Sequence, residues 1–178
     1  MQEFIIMKKR SVISKLVLIL MTCFLSSMVY AQDPTDTLPD DPAAIYVFTY
    51  QNLQFGTFAQ GGSGGTVIVS NTGTRSATGS VILINQGGSF FQCIIDVQAP
   101  PGSLISITNG PNATLTGSNG GTVTLVIGNS NPTSPFNTTV SPPARTPVNI
   151  GGTLTVGNSA ASPPGNYTGV FYITFNQE

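Results

Sequence analysis

Few residues in this 178-residue chain could act as acids, bases or nucleophiles. It has no histidine, and tyrosine apart, the ionisable side chains after position 43 belong to Arg75, Cys93, Asp96, Arg145 and Glu178. General acid–base catalysis needs two titratable groups near each other, and a serine or cysteine nucleophile needs a base beside it. The sequence offers neither arrangement. We therefore predict a protein that is not an enzyme and has no catalytic residues.

Metal and cofactor chemistry also lacks ligands. Zinc sites use several His, Cys or carboxylate ligands, and calcium sites need clustered oxygens that include carboxylates. Four aspartates lie close together, at Asp33, Asp36, Asp40 and Asp41, and could hold calcium loosely. Prolines interrupt this group and no glutamate accompanies it, which favours a solvated tail. The glycine-rich run 61–65 lacks the lysine and the helix of a phosphate-binding loop, so we predict no metal site and no cofactor.

Cys93 is the one cysteine left once Cys23 is removed with the N-terminal segment described below, so it cannot form an internal disulfide. In an extended chain it shares a face with Phe91, Ile95 and Val97. Free cysteine is among the most often buried residue types. The pattern predicts a small buried apolar side chain rather than a reactive thiol.

The charge is low and unevenly placed. After residue 31 two arginines face six acidic residues, a net charge of −4, and four of those acids lie in 32–41. Binding to nucleic acid or to an anionic membrane needs a basic surface that supplies phosphate contacts. Both functions are excluded on this ground. We expect Arg75 or Arg145 to pair with Asp96 across the sheet.

Residues 1–31 have the pattern of a signal peptide. A basic segment at 8–15 precedes an apolar run at 16–29, and small residues stand at the usual cleavage positions. The alternative is a lipoprotein acylated on Cys23, although Thr22 stands where such signals want glycine or alanine. No second span of membrane length follows. We predict export to the cell surface, the periplasm or the extracellular medium, with no membrane contact after cleavage.

The rest of the chain divides into a leader and one domain. Residues 32–43 are rich in proline and aspartate and cannot bury enough surface to become ordered. Residues 44–178 show short alternating runs separated by Gly, Pro and Asn turns and no helical periodicity, which predicts a single antiparallel β-sandwich of about eight to ten strands. The predicted strands are 43–50, 53–58, 66–70, 80–85, 89–97, 103–108, 113–116, 122–127, 153–156 and a terminal strand within 164–176.

Two segments could take part in assembly. In the terminal strand, Tyr167, Phe171 and their alternate neighbours share one face and Val170 and Tyr172 the other, which is typical of a half-buried strand. The run Ile45–Tyr50 is apolar on both faces and is expected to be buried on two sides. It could pair within its own domain or be donated to a neighbour behind the leader, and the sequence leaves both alternatives open.

Gly128–Asn149 is predicted to be the longest irregular connection. It holds five prolines and few aliphatic residues. Loops of this length tend to be functional or disordered. Surface variation or a binding loop is therefore expected here, with Phe136 and Val140 fixing it to the sandwich.

The ordered set of motifs resembles a known family of secreted bacterial domains, the domain of unknown function 4402 family. The motifs are Leu53-x-Phe55-Gly56-x-Phe58, Gly64-Gly65-Thr66-Val67, Gly73-x-Arg75, Gly151-Gly152-Thr153-Leu154-x-Val156 and Pro164-Gly165-x-Tyr167-Thr168-Gly169-x-Phe171-x-Ile173-x-Phe175-Asn176. The closing strand is similar to that of spore coat U-type and pilin-like domains. The resemblance implies an immunoglobulin-like (pilin-like) sandwich on a bacterial surface and supplies no catalytic residues.

These observations lead to two functional hypotheses. The first is an exported, fimbria-like cell-surface structural subunit that assembles by β-strand addition with copies of itself or with another surface subunit. The alternative is a surface adhesin or carbohydrate-binding module that acts as a monomer. The absence of tryptophan and the placement of most Phe and Tyr on strands disfavour the alternative.

Overall fold

Fifteen β-strands and no helix form the described part of the chain, residues 44–178 of a computed structural model. The predicted signal peptide 1–31, the leader 32–43 and Cys23 lie outside the described residues. The strands are β1 Tyr46–Gln51, β2 Gln54–Phe55, β3 Phe58–Ala59, β4 Gly65–Val69, β5 Arg75–Gly79, β6 Ile82–Leu83, β7 Phe90–Phe91, β8 Cys93–Gln98, β9 Leu104–Asn109, β10 Ala113–Gly117, β11 Thr122–Asn131, β12 Phe136–Asn137, β13 Thr146–Val156, β14 Tyr167–Thr168 and β15 Ile173–Gln177.

The all-β prediction is confirmed, and the arrangement resembles a sandwich. Nine of the described strands have five or more residues, within the eight to ten expected, and every strand pair is antiparallel. Val, Ile and Thr dominate these strands, because their branched Cβ atoms favour the pleated conformation. The immunoglobulin-like topology stays a prediction.

One long sheet contains most of the strands. Its order is β1-β8-β13-β11-β10-β14, and β4 and β5 branch from it through β13. Within β13, the half Thr146–Ile150 pairs with β8, and the half Gly152–Val156 pairs with β4. The opposite edge of β13 pairs with β11. A second sheet, β12-β9-β15, and the two-stranded sheets β2-β7 and β3-β6 complete the fold.

The branch in β13 depends on a glycine. Strand β11 contains an irregularity between Ile127 and Ser130 where it crosses β13, and bulges of this kind bend a sheet. Gly151 lies opposite this irregularity. A Cβ on Gly151 would overlap the backbone oxygen of Val69 and lie 2.8 Å from the backbone nitrogen of Asn71. The bare backbone of Gly151 is therefore what lets β4 end against β13.

The hydrophobic core lies between the sheets and follows the period-two pattern of the strands. In β8, for example, Cys93, Ile95 and Val97 are buried while the residues between them are only partly so. The buried apolar residues are Phe55, Val67, Val69, Val81, Cys93, Ile95, Val97, Ala99, Ile105, Ala113, Val123, Leu125, Ile127, Phe136, Val148, Ile150, Leu154 and Val156. Burial of such side chains contributes roughly 1.5–3 kcal/mol each relative to exposure.

The predicted terminal strand is divided between the two sheets. Its first part, β14, pairs with β10, and its last part, β15, pairs with β9. Gly169–Tyr172, between them, is extended without ladder pairing. The chain therefore runs antiparallel to the whole β9–β10 segment and turns a corner from one sheet to the other. We call the segment Tyr167–Gln177 the terminal edge, because each of its strands pairs on one side only among residues 44–178.

The prediction that Ile45–Tyr50 is buried on two sides was wrong. Of the two pairings that the sequence left open, the structure shows the one within the same domain. Strand β1 pairs antiparallel with β8 of its own domain and is the first strand of the long sheet. Val47 is 44 % and Tyr50 74 % exposed, so β1 is not buried on two sides. Tyr50 is the extra residue of a bulge between Thr49 and Gln51. An edge strand has no second neighbour to cover it, which explains the exposure.

The prediction that Gly128–Asn149 is one irregular connection was also wrong. Strand β11 continues to Asn131, β12 adds two residues, and β13 begins at Thr146. Phe136 joins the core at 8 % exposure, as expected. Val140 is only half-buried. Strands therefore take up 10 of the 22 residues of the predicted loop, and its irregular parts are 132–135 and 138–145.

Candidate functional site: two open sheet edges

The structure places Cys93 where a nucleophile could not act. Its thiol belongs to a side chain that is only 2 % exposed, and it is free of any disulfide. Burial raises the pKa of the Cys93 thiol from 9.0 to about 11. Since the thiolate is the reactive form, a buried thiol with a raised pKa is inert at neutral pH. Cys93 is a core residue, as its alternation with apolar neighbours indicated.

Arg75 forms a clasp between three segments of chain. Its guanidinium donates to the backbone oxygens of Phe55 at 3.0 Å and Thr57 at 3.2 Å, and to that of Ile84 at 3.0 Å. It also lies 4.5 Å from the centre of the Phe90 ring. A guanidinium carries five donors in a rigid fork, which suits several carbonyls at once. The clasp fixes the short strands β2, β3 and β6 beside β5.

The expected ion pair with Asp96 is not formed. Arg75 makes the clasp, and Arg145 stacks on the ring of Phe48 at 3.7 Å. No ion pair is found between Asp96 and either arginine. The two cations are therefore used to hold edge segments in place, through carbonyls and an aromatic face, and the expectation of a cross-sheet salt bridge was wrong.

The described residues bring no metal-ligand set together. No group of three or more His, Cys, Asp or Glu side chains that could hold a metal occurs between residues 44 and 178. The four leader aspartates lie outside this part of the chain. Within it, too, there is no helix long and apolar enough to cross a membrane.

One open groove lies beside the branch in β13. It has a volume of about 230 Å³ and is lined by backbone and side chains of Ile68, Val69, Ser70, Asn71, Gly128, Asn129, Gly151, Gly152 and Thr153. Its lining contains hydroxyl and amide groups but no aromatic ring. The groove results from the close approach of β4 to a glycine backbone, which accounts for its position.

The terminal edge carries exposed apolar side chains on an extended backbone. Val170 and Tyr172 are each 70 % exposed, while Tyr167, Phe171 and Phe175 pack against the core. This confirms the two faces expected from the alternation. Within residues 44–178, the backbones of Gly169, Val170 and Phe171 form no hydrogen bond with other backbone groups. The backbone oxygen of Tyr172 accepts one from the backbone nitrogen of Gly110.

The terminal edge also lacks the features that usually protect edge strands. Natural edges carry lysine, proline or inward-pointing charges that block pairing with another chain. Tyr167–Gln177 contains no charged residue and no proline. Such an edge can accept a further strand, whose backbone would bond to it while alternate side chains pack on its faces.

Strand β1 is an edge of the long sheet and differs from the terminal edge. It exposes Val47 and Tyr50, but its bulge at Tyr50 interrupts regular pairing. Bulges are one of the devices that blunt an edge. Arg145 on the Phe48 ring adds a charge to the same strand. Of the two edges, the terminal edge is the better acceptor.

Sequence reasoning identified the faces of the terminal strand but not its position at the edge of both sheets. The face pattern is local and can be read from the alternation of apolar residues. The neighbours of a strand depend on long-range pairing, which no spacing along the chain specifies. The one available signal was the lack of any charge in Tyr167–Gln177, which is unusual for an exposed edge.

Comparison with known proteins identifies the domain. The family model described as a domain of unknown function (DUF4402) matches residues 45–176. Neither curated proteins nor solved structures gave a match. The similarity of the closing strand to spore coat U-type and pilin-like domains stays a prediction. The matched region begins just before β1 and ends within β15, and the chain belongs to the DUF4402 family.

Proposed function

We propose that this chain is an exported bacterial cell-surface structural subunit that assembles by β-strand addition. The observation that carries the proposal is the terminal edge, which offers an uncharged, extended and incompletely bonded backbone with two apolar side chains in solvent. A sheet edge of this kind is a template for another strand. Assembly turns this liability into a specific contact.

The chemistry of the described domain supports the same proposal. Its cysteine is buried, and its two arginines are engaged by carbonyls and a ring. These side chains stabilise the fold and are not arranged around a substrate. A domain built in this way contributes shape and exposed edges, which are what a structural subunit needs.

The alternative, a monomeric adhesin or carbohydrate-binding module, receives less support. Sugar sites favour exposed aromatic rings near polar groups, and the groove beside the branch in β13 has no aromatic lining. The exposed aromatic residues are instead Tyr50 on β1, Phe91 on β7 and Tyr172 on the terminal edge. We therefore propose that the exposed aromatic residues contribute to subunit assembly rather than to sugar binding.

Negative-stain electron microscopy of cells with an antibody to this chain tests the proposal. We expect label along surface fibres or a surface layer. A chain found in the cytosol would overturn the proposal. So would a chain that is exported, stays monomeric and binds on a glycan array.

A further inference from the structure

We propose that the terminal edge pairs antiparallel with the terminal edge of a second copy, around a two-fold axis at Phe171. This inference rests on the proposed assembly by strand addition and names its partner. The argument depends on the order of residues along Tyr167–Gln177, on their exposure and on the absence of charge.

The solvent-facing side of the terminal edge is self-complementary. An antiparallel pairing centred on Phe171 places Val170 of one copy opposite Tyr172 of the other, twice. It also places Thr168 opposite Thr174, twice. These four residues are the exposed ones between Thr168 and Thr174 apart from Gly169. Aromatic with β-branched and threonine with threonine are among the stabilising cross-strand pairs.

The core-facing side of the same edge is compatible with this register. Tyr167 would lie opposite Phe175, and Gly169 opposite Ile173, so that each small or polar-tipped residue meets an apolar one. Phe171 would lie opposite its own copy. All four bulky residues are already half-buried against the core. A second strand would cover their remaining exposed area.

Charge favours a second copy as the partner. A charged residue on the two-fold axis would lie opposite its own copy, and equal charges placed symmetrically about the axis would also face each other, so the absence of charge along Tyr167–Gln177 removes this repulsion. The nearest charged residue is Glu178, which lies outside the terminal edge. Strand β1 does not meet this condition equally well, because the Arg145 guanidinium lies on its Phe48 ring.

The backbone at the corner gives a further reason. Gly169, Val170 and Phe171 form no backbone hydrogen bonds in the described part of the chain. A strand on their open side would supply partners for the groups that point outward. Pairing would exchange hydrogen bonds to solvent for hydrogen bonds between copies, and this exchange favours association when apolar side chains become buried together.

Sedimentation of the purified exported chain, without residues 1–31, over a concentration series tests the pairing. We expect a reversible dimer, and the double variant Val170→Lys with Tyr172→Lys should weaken it at least about tenfold, because lysines would face one another across the axis. The matched control is Ile82→Lys, since Ile82 is 68 % exposed but lies on β6, away from the terminal edge. Circular dichroism should show both variants folded.

Cysteine cross-linking tests the register. Chains with Val170→Cys mixed with chains carrying Tyr172→Cys should form a mixed disulfide faster than either variant forms a disulfide with itself. Ile82→Cys should form none, and the buried Cys93 stays silent. A wild-type chain that is monomeric throughout, a dimer unchanged by the double variant, or cross-linking without register preference would overturn the inference.

The two proposals fail separately. Cells that display labelled fibres of the double variant would overturn the two-fold pairing and leave the structural role in place. Cells without any surface assembly of the wild-type chain would overturn the structural role. In that second case, a dimer of the purified chain that the double variant weakens would still support the pairing itself.

Discussion

Nη1 of Arg75 lies 3.0 Å from the backbone oxygen of Phe55, so a side chain of β5 holds the turn between β2 and β3. The same guanidinium reaches Thr57 and Ile84. Lysine offers a single ammonium that cannot reach these carbonyls together. We expect Arg75→Lys to lower the free energy of unfolding by about 1–3 kcal/mol, measured by urea denaturation.

Arg145→Lys is the control for this substitution. Arg145 is exposed and contacts a ring, an interaction worth about 0.5–1 kcal/mol at such sites. Arg145→Lys should therefore lower the free energy of unfolding by less than Arg75→Lys does. Equal losses in the two variants would show that the clasp contributes no more than a surface contact.

Gly56 should tolerate a side chain less well than Gly102. Both have positive φ, 68° and 86°, where a Cβ costs roughly 1–2 kcal/mol. A Cβ on Gly56 would also lie 2.5 Å from Nη1 of Arg75, whereas one on Gly102 would meet nothing within 4 Å. We expect Gly56→Ala to be the more destabilising substitution in urea denaturation.

A double-mutant cycle separates strain from displacement of the guanidinium. In an Arg75→Ala background the additional cost of Gly56→Ala over Gly102→Ala should shrink. If the difference between the two glycine variants persists at full size without Arg75, the other contacts of Gly56 carry it and the clasp does not.

Gly151→Ala should separate β4 from β13. The added Cβ would overlap the Val69 carbonyl oxygen and crowd Asn71, and overpacking of this kind costs about 1–3 kcal/mol. Gly62→Ala is the control, because a Cβ there meets nothing within 4 Å, and such surface changes stay within about 0.5 kcal/mol. Thermal unfolding of the two variants checks this, and similar midpoints would contradict it.

The buried Cys93 thiol should lower the free energy of unfolding at alkaline pH. The pKa of its thiol rises from 9.0 to about 11 on folding, so between these values the unfolded chain holds fewer protons than the folded one. Stability contributed by the protonated thiol is complete below pH 9 and falls as the pH rises towards 11, by about 2–3 kcal/mol.

Cys93→Ala tests the alkaline loss. This variant is less stable at neutral pH, because truncation leaves a small cavity, but its stability should decline less steeply between pH 9 and 11. Denaturation curves collected across that range give the two slopes. Parallel decline in wild type and variant would assign the loss to other groups.

The local patterns predicted most of the longer strands, but not all of the strands or their limits. Alternation correctly separated Val170 and Tyr172 from Phe171, because a period of two is a property of the backbone itself. Strand β5 was missed, since Arg75–Gly79 has Ala77 as its only apolar residue. Its pairing with β4 comes from the hairpin register, not from its own hydrophobicity.

Pro147 shows why the first half of β13 was missed. Proline usually marks a loop or an edge, because it cannot donate to the ladder. The pairing of β13 with β11 begins at Asn149, so Pro147 lies in a stretch that has only β8 beside it. Pro147 therefore lies in a part of β13 that is an edge, although the rest of β13 is in the centre of the sheet. Such a mixed environment depends on the strand order and cannot be read from composition.

The corner of the terminal edge could not be predicted for the same reason. Gly169 accommodates the close approach of the Thr114 oxygen, at 2.9 Å from where its Cβ would lie. In the sequence Gly169 is one more residue in an alternating run. Only the partner segments, β9 and β10, show that the run passes from one sheet to another.

Strands β11 and β13 lie side by side from Thr124 to Asn131 and from Asn149 to Thr155. Tension applied along these strands would load all their interstrand hydrogen bonds at once, so many bonds must break together before the strands can slide apart. Tension applied perpendicular to the strands would break these hydrogen bonds one after another. A domain held along this direction would resist a pulling force, and its survival would be governed by a rate of rupture rather than by equilibrium stability.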